Sequence, residues 1–229
     1  MMLLSIVIPV FNGAPFLEAA VESIYAQSYL PESFEIILVD DGSTDSSWDI
    51  CQQLKASYDE IVLLQNSTNL GVAAARNLGI KRSRGEFLAM LDQDDTWLPE
   101  KLERQFAAFK LDTELELVLG MQEFNLVGAD KFPKWFKPSW ADEPQPGYVF
   151  GCMLTRKSTF LKLGLLDEGL KYGSDDVDWF GRAKSMGIKE ALLPEVSLSR
   201  KIHGSNASSQ TQPFNAELLM VIRRKIASK

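Results

Sequence analysis

Four stretches of the chain hold residue types that could do chemistry together, and three of them are built on aspartate. Leu91-Asp92-Gln93-Asp94-Asp95-Thr96-Trp97 puts three carboxylates within four residues, directly after the apolar run Phe87 to Leu91. Such a density of oxygen ligands suits a hard divalent ion, Mg²⁺ or Mn²⁺, and calls for a counter-charge. A turn in which Asp95 or Thr96 caps the next helix would explain one acid and leave the others over. In Val39-Asp40-Asp41-Gly42-Ser43-Thr44-Asp45, Gly42 permits a turn, Ser43 or Thr44 can cap a helix and Asp45 suits its positive end. The adjacent pair Asp40 and Asp41 is less ordinary, because like charges need a ligand or hydrogen bonds to offset them, and one could accept from a nucleobase. In Tyr172-Gly173-Ser174-Asp175-Asp176-Val177-Asp178, a first-turn Asp176 facing a cleft could take a proton from a hydroxyl. Ordinary acidity at a helix start would account for the same residues. Finally, Ser199 to Asn206 holds the only histidine, His203, beside Arg200 and Lys201, a group that could bind a diphosphate or add a metal ligand. A lone histidine usually does neither.

These motifs need a frame to hold them. Leu3 to Val10 is a short, β-branched, almost continuous apolar run, the pattern of a strand buried on both faces of a parallel sheet. Strands at Phe34 to Val39, Ile61 to Leu64 and Glu86 to Leu91 then alternate with helices over Ala14 to Gln27, Thr44 to Ser57 and Gly71 to Lys81. Repeated strand–helix units predict an α/β fold, a Rossmann-like and mostly parallel sheet with helices on both faces. In such sheets ligands collect beyond the carboxyl ends of the strands, where the first two aspartate motifs stand. A helix near Pro99 to Lys110 and a strand near Leu115 to Leu119 follow. Asp130 to Gly147 carries four prolines with Trp135, Phe136 and Trp140, which predicts an irregular loop with aromatic anchors. Regular structure is expected again at Tyr148 to Thr155, as helices near Lys157 to Leu163 and Asp176 to Met186, as a strand near Glu195 to Ile202, and as a terminal helix.

The 229 residues suit one large domain, and 45% hydrophobic with 24% charged residues is ordinary globular composition. A formal charge of −7 argues against nucleic acid as a partner. Cys51 and Cys152 lack metal-ligand spacing and are expected as buried thiols, in keeping with a reducing, cytoplasmic setting. The apolar start to Phe11 is too short to cross a bilayer and lacks signal-peptide features. Phe214 to Lys229 mixes Leu218, Leu219, Val221 and Ile222 with Arg223, Arg224 and Lys225, so it could touch the inner face of a membrane peripherally. Docking on the domain is the favoured reading.

Taken in order, the motifs resemble a family 2 glycosyltransferase of GT-A fold over nearly the whole chain. The matching stretches are Ser5 to Asn12, Val39 to Asp45, Asn69 to Gly79 with Arg76, and Gly85-Glu86-Phe87 leading to Asp92-Gln93-Asp94-Asp95. Leu165 to Glu168 leading to Asp175-Asp176 completes the series. The resemblance implies a single domain over 1–229, with about 1–112 binding a UDP-, GDP- or dTDP-sugar and about 113–229 binding a glycan, lipid-linked or other hydroxyl acceptor. It implies that Pro9, Asp41, Arg76 and Asp92 lie on the nucleotide side, that Asp94 reaches a divalent metal, that His203 lies near diphosphate or metal, and that Asp176 is the catalytic base. It further implies transfer of one sugar with inversion, in bacterial surface polysaccharide or glycolipid synthesis. Where the family often has Glu-Asp this chain has Asp175-Asp176, and the Gln-x-x-Arg-Trp of processive synthases is absent. Two rival readings stand beside this. Asp92 to Thr96 also spells the DxDxT of haloacid-dehalogenase-like phosphatases, although three strand–helix units precede it here. The other rival is a non-catalytic sugar-nucleotide-binding module.

Overall fold

A computed structural model describes residues 4–128, 132–133, 136–171, 173–204, 206 and 211–227. The chain opens as β1 (Leu4–Val10), α1 (Leu17–Tyr25), β2 (Phe34–Asp40), α2 (Ser47–Ser57), β3 (Ile61–Gln65), α3 (Val72–Arg82) and β4 (Phe87–Met90). Every residue of β1 and β4 is buried, which is why their sequences run apolar without alternation. Ile6, Ile8, Ile36 and Leu38 pack on one face of the sheet with α1, α2 and α4 (Lys101–Leu111). Val7, Ile37 and Val39 pack on the other with α3, α6 (Lys157–Leu163) and α7 (Asp175–Ser185). At Gly79 of α3 an added Cβ would lie 2.4 Å from Val7 Cγ1, so the missing side chain sets how closely that helix approaches β1.

The sheet runs β3-β2-β1-β4-β8-β6-β9-β5, with β5 (Thr96–Trp97), β6 (Leu117–Leu126), β8 (Met153–Arg156) and β9 (Glu190–Ile202), while β7 (Gln145–Pro146) pairs with β6. From β3 to β4 every pairing is parallel, as the strand–helix alternation predicts. Beyond β4 the directions mix: β8 is antiparallel to β4 and β6, β9 is parallel to β6, and β5 is antiparallel to β9. Antiparallel neighbours need no crossover helix, so the alternating rhythm fades in this half.

β6 and β9 are longer than their sequences suggest, because β9 is largely half-buried or exposed and lacks a continuous apolar run. The proline-rich stretch holds a one-turn helix α5 (Ser139–Asp142) and β7, whose Pro146 sits at a sheet edge where a missing N–H is tolerated. Its rings pin it to β6: Phe136 is buried against Phe124 at 5.2 Å, and Trp140 stacks on Phe124 at 5.9 Å between centroids. Trp135 lies outside the described residues. Cys51 and Cys152 are buried free thiols, both pushed up to about 12 by burial. Among the described residues no helix is long and apolar enough to cross a membrane.

Candidate active site

Because β1, β2 and β4 run parallel, the segments after Val10, Asp40 and Met90 leave the sheet on one side. Side-chain amides lace these segments together. Asn12 Oδ1 accepts from the Thr44 and Asp45 amides at 2.8 and 3.3 Å. The Gln93 amide exchanges two 2.9 Å hydrogen bonds with the Phe11 backbone, so the residue between Asp92 and Asp94 fastens their loop to the end of β1. Gly13 makes room for it, since a Cβ there would fall 2.0 Å from Gln93 Oε1. Pro9 is buried within β1 opposite Val39, beyond the point where β4 stops pairing at Val7, so its missing N–H breaks no bond to that neighbour.

Asp41 is also buried, and its carboxylate is well supplied with donors. It accepts from Asn66 Nδ2 at 2.7 Å, the Leu70 amide at 3.1 Å and the Gly71 amide at 2.8 Å. The acid thereby orders the turn that starts α3. Gly71 stands in that turn at φ +100, a conformation side-chain-bearing residues resist.

Arg76 projects from α3 into the centre of the group and is only 5% exposed. One terminal nitrogen donates to Asp92 Oδ1, the other to Asp175 Oδ2 at 2.7 Å, and its guanidinium lies 5.0 Å from the Phe150 ring centre. Burial opposes its charge, but the pairs with Asp175 and Asp92 outweigh that and keep the guanidinium protonated. Burial likewise pushes Asp175 above the usual carboxylate range, with the charge of Arg76 opposing. Asp176, the next residue, is half-buried and accepts from the Val177 amide at 2.6 Å. Burial first and the neighbouring charge of Asp175 second push it up to about 7, against the pull of Arg76 and Arg200.

β9 brings the late basic motif to the same place. His203 Nε2 lies 3.0 Å from Asp94 Oδ2, which also accepts from Asn206 Nδ2 at 3.0 Å, and the imidazole stacks on Phe16 at 4.5 Å. Asp95 is buried under the Lys201 amide at 3.0 Å, with Arg200 Nε 3.8 Å away. Burial and the charge of Asp94 hold Asp95 well above the usual range, while Arg200 opposes. Arg200 stays charged despite burial because Asp95, Asp92, Asp176 and Asp94 face it.

Arg76 thus ties Asp92 to Asp175 with Asp176 alongside, Arg200 beside Asp95 faces the same acids, and Asp94 meets His203 nearby. Asp41 stands apart in its own turn. The sequence offers Arg200 only as one cation of a group that could bind a diphosphate; its place facing Asp95, Asp92, Asp176 and Asp94 is not legible there. Among the described residues no three His, Cys, Asp or Glu side chains gather closely enough to enclose a metal. Asp94 and His203 offer one carboxylate oxygen and one imidazole, and a small divalent ion commonly completes so sparse a set with water and substrate phosphate oxygens. The donor set therefore fits such an ion.

The model of the family described as glycosyl transferase family 2 matches residues 5–162. An uncharacterized glycosyltransferase of Rickettsia typhi is 31% identical over 219 residues, covering 90% of this chain and 66% of its own length. The S. aureus TarS 1–349 structure in complex with UDP-GlcNAc superposes with a TM-score of 0.74 at 21% identity, covering 96% of this chain and 65% of that one. The mannosyltransferase PcManGT from Pyrobaculum calidifontis, solved with GDP-Man and Mn²⁺, gives 0.75 at 16% identity, covering 98% and 64%. This chain therefore spans about two thirds of the length of each of these proteins.

Proposed function

The chain is a glycosyltransferase domain of GT-A fold belonging to glycosyl transferase family 2, and from that premise we propose that it moves one sugar from a nucleotide-diphosphate sugar to an acceptor hydroxyl with inversion. The observation that carries this reading is the Arg76 bridge, which joins an acid of the Asp92 motif to the helix bearing Asp176. It puts the acids of two distant motifs into one site.

Residues about 1–112 form the donor side. Asp41 is held by Asn66 and the Leu70 and Gly71 amides in position to receive the base, with Pro9 behind it in β1 and Asp92 toward the ribose. Arg76 acts from beneath, holding Asp92 and Asp175 in place. Asp94 and His203 would hold a divalent ion, Mg²⁺ or Mn²⁺, which when bound supplies positive charge for the departing diphosphate. The two solved neighbours carry UDP-GlcNAc in one case and GDP-Man with Mn²⁺ in the other, which supports a donor of this class.

Residues about 113–229 form the acceptor side. Asp176 accepts the acceptor's hydroxyl proton as that oxygen bonds to the anomeric carbon and the bond from carbon to the diphosphate oxygen breaks. Attack from the side opposite the leaving group inverts the centre. Arg200 stabilises the anionic groups around this step and keeps Asp176 from rising further. The aromatic set Phe124, Phe136 and Trp140 borders the acceptor approach, and Leu219, Ile222 and Arg223 on the outer face of α8 (Thr211–Ala227) offer a peripheral membrane contact. The absence of Gln-x-x-Arg-Trp supports single-sugar transfer, and the surface glycan or glycolipid setting is the context this chemistry serves best.

A thermal-shift screen of UDP-, GDP- and dTDP-sugars with Mg²⁺ or Mn²⁺ tests the donor class, because a ligand bound only by the native state raises Tm. At least one nucleotide sugar is expected to raise Tm in a metal-dependent way and to release its nucleoside diphosphate when an acceptor is added. A phosphomonoester turned over with no nucleotide sugar bound would refute the proposal.

A further inference from the structure

The terminal helix α8 carries a carboxylate on its buried face. Glu217 is 9% exposed and sits one turn before the buried Val221, while Leu219 and Ile222 point outward. Burying a carboxylate is costly unless strong hydrogen bonds replace its water. Glu217 has them: Oε1 accepts from the Lys171 amide at 2.6 Å, and Oε2 accepts from Ser174 Oγ at 2.8 Å. Ser174 is fully buried, immediately precedes α7, and is of a type that often caps a helix by accepting from its first amides. It makes no such cap here; the hydroxyl is given to Glu217 instead. Between the two anchored residues Gly173 takes φ +91, so the loop can turn back upon Glu217.

The same loop touches the donor side. A Cβ on Gly71 would lie 3.3 Å from Lys171 Cγ, and the Gly71 amide is one of the donors to Asp41. One carboxylate on α8 therefore fixes the segment that leads into Asp175 and Asp176 and that rests on the turn ordered by Asp41.

We propose that Glu217 is a positioning residue, anchoring the loop before α7 so that Asp176 faces the acceptor while Asp175 stays on Arg76, which makes the docking of α8 a condition of sugar transfer. This rests on the reading of Asp176 as the base. The anchor works by geometry. Glu217→Gln keeps both contacts, because its amide carbonyl accepts from Lys171 and its amide nitrogen donates to Ser174 Oγ. Glu217→Ala keeps neither.

The test measures nucleoside diphosphate release, with Mn²⁺ and with water or an added monosaccharide as acceptor, from whichever UDP-, GDP- or dTDP-sugar the wild type turns over, together with hydrogen exchange of amides 173–178. Glu217→Ala is expected to lower kcat about 10²-fold, the usual effect of a small misplacement of a reacting group, with donor KM little changed and faster exchange over 173–178. Glu217→Gln is expected to restore both. Should Glu217→Ala not fold, Ser174→Ala removes the Oε2 contact alone and is expected to lose kcat in the same sense. Wild-type kcat in the variant that folds, even with a lowered Tm, would show a purely structural contact and overturn the proposal, as would equal damage from Glu217→Ala and Glu217→Gln. If the wild type turns over no UDP-, GDP- or dTDP-sugar, the assigned function fails on its own account, and unchanged exchange over 173–178 in Glu217→Ala would separately refute the anchor.

Discussion

Replacing Asp176 with asparagine removes the proposed base and little else. The shape is kept, and the amide oxygen can still accept from the Val177 amide, which the carboxylate holds at 2.6 Å. Loss of a positioned general base lowers kcat about 10²-fold or more, while donor affinity, which the proposed function assigns to groups around Asp41 and Asp94, is expected to stay near wild type. The pH profile sharpens the test. With Asp176 pushed up to about 7 by burial and by Asp175, the wild-type rate should climb through neutrality as the carboxyl ionises, and about one pH unit below that midpoint only about a tenth of the base is available. This limb should vanish in Asp176→Asn. The stability effect has the opposite sign. A folded-state value raised from 3.8 means that the native state binds the proton more tightly, a contribution fully present below about 4 and lost as pH rises through about 7. Its upper bound is ~4 kcal/mol before screening by the solvent that reaches this half-buried side chain, so Asp176→Asn should raise Tm relative to wild type at pH 8 and not at pH 4. Initial rates across pH 5 to 9, donor calorimetry and thermal melts measure the three effects. A wild-type kcat in Asp176→Asn, or a wild-type profile flat through neutrality, would refute the assignment. Asp175→Asn is the control: its carboxylate is committed to Arg76, so the change should chiefly destabilise the fold, by up to ~3–5 kcal/mol for a broken buried pair and less because Asp92 remains on Arg76. A stable but inactive Asp175→Asn beside an active Asp176→Asn would move the base by one residue.

Asp94→Ala and exhaustive chelation should each abolish metal-dependent donor binding in a Tm-shift assay, and His203→Ala should weaken it less, since it leaves the Asp94 carboxylate in place. Full transfer after chelation would remove the metal from the mechanism. Trp140→Ala should raise acceptor KM if the ring borders the acceptor; a loss of Tm with acceptor KM unchanged would show that its stacking on Phe124 only pins the loop. Gly79→Ala should cost about 1–3 kcal/mol in denaturant melts, because the added Cβ meets Val7 Cγ1 at 2.4 Å; an unchanged midpoint would mean that α3 can shift freely on the sheet.

What could be read from sequence follows from where each residue's partner lies. β1 and β2 declare themselves because burial on both faces favours a nearly continuous apolar run, and the Asn12, Asp41 and Asp92 loops are placed by the strands they follow. β5 could not be read, being two residues long and defined only by its pairing with Leu198 and Ser199 of β9. The roles of Gln93 and Glu217 were equally hidden: each is a polar residue whose partner, the Phe11 backbone or Ser174, is distant in sequence and comes near only through the fold. Asp175 and Asp176 are alike as letters. Their difference is one of helical phase, which turns the first into the core against Arg76 and leaves the second half-buried.

The pairing of charges also says where a cation has a use. Arg76 already answers Asp92 and Asp175, and Arg200 lies 3.8 Å from Asp95. Among the described residues Asp94 has no lysine or arginine ion pair; its carboxylate meets an imidazole and an amide. Asp176 has no such pair either, and a bound cation there would depress the very basicity that burial confers. Of these acids, then, Asp94 is the one whose charge gains most from a metal and Asp176 the one that works best without it. The proposed division of labour between leaving-group charge and acceptor proton is the one that best suits the aspartates the two arginines leave unpaired.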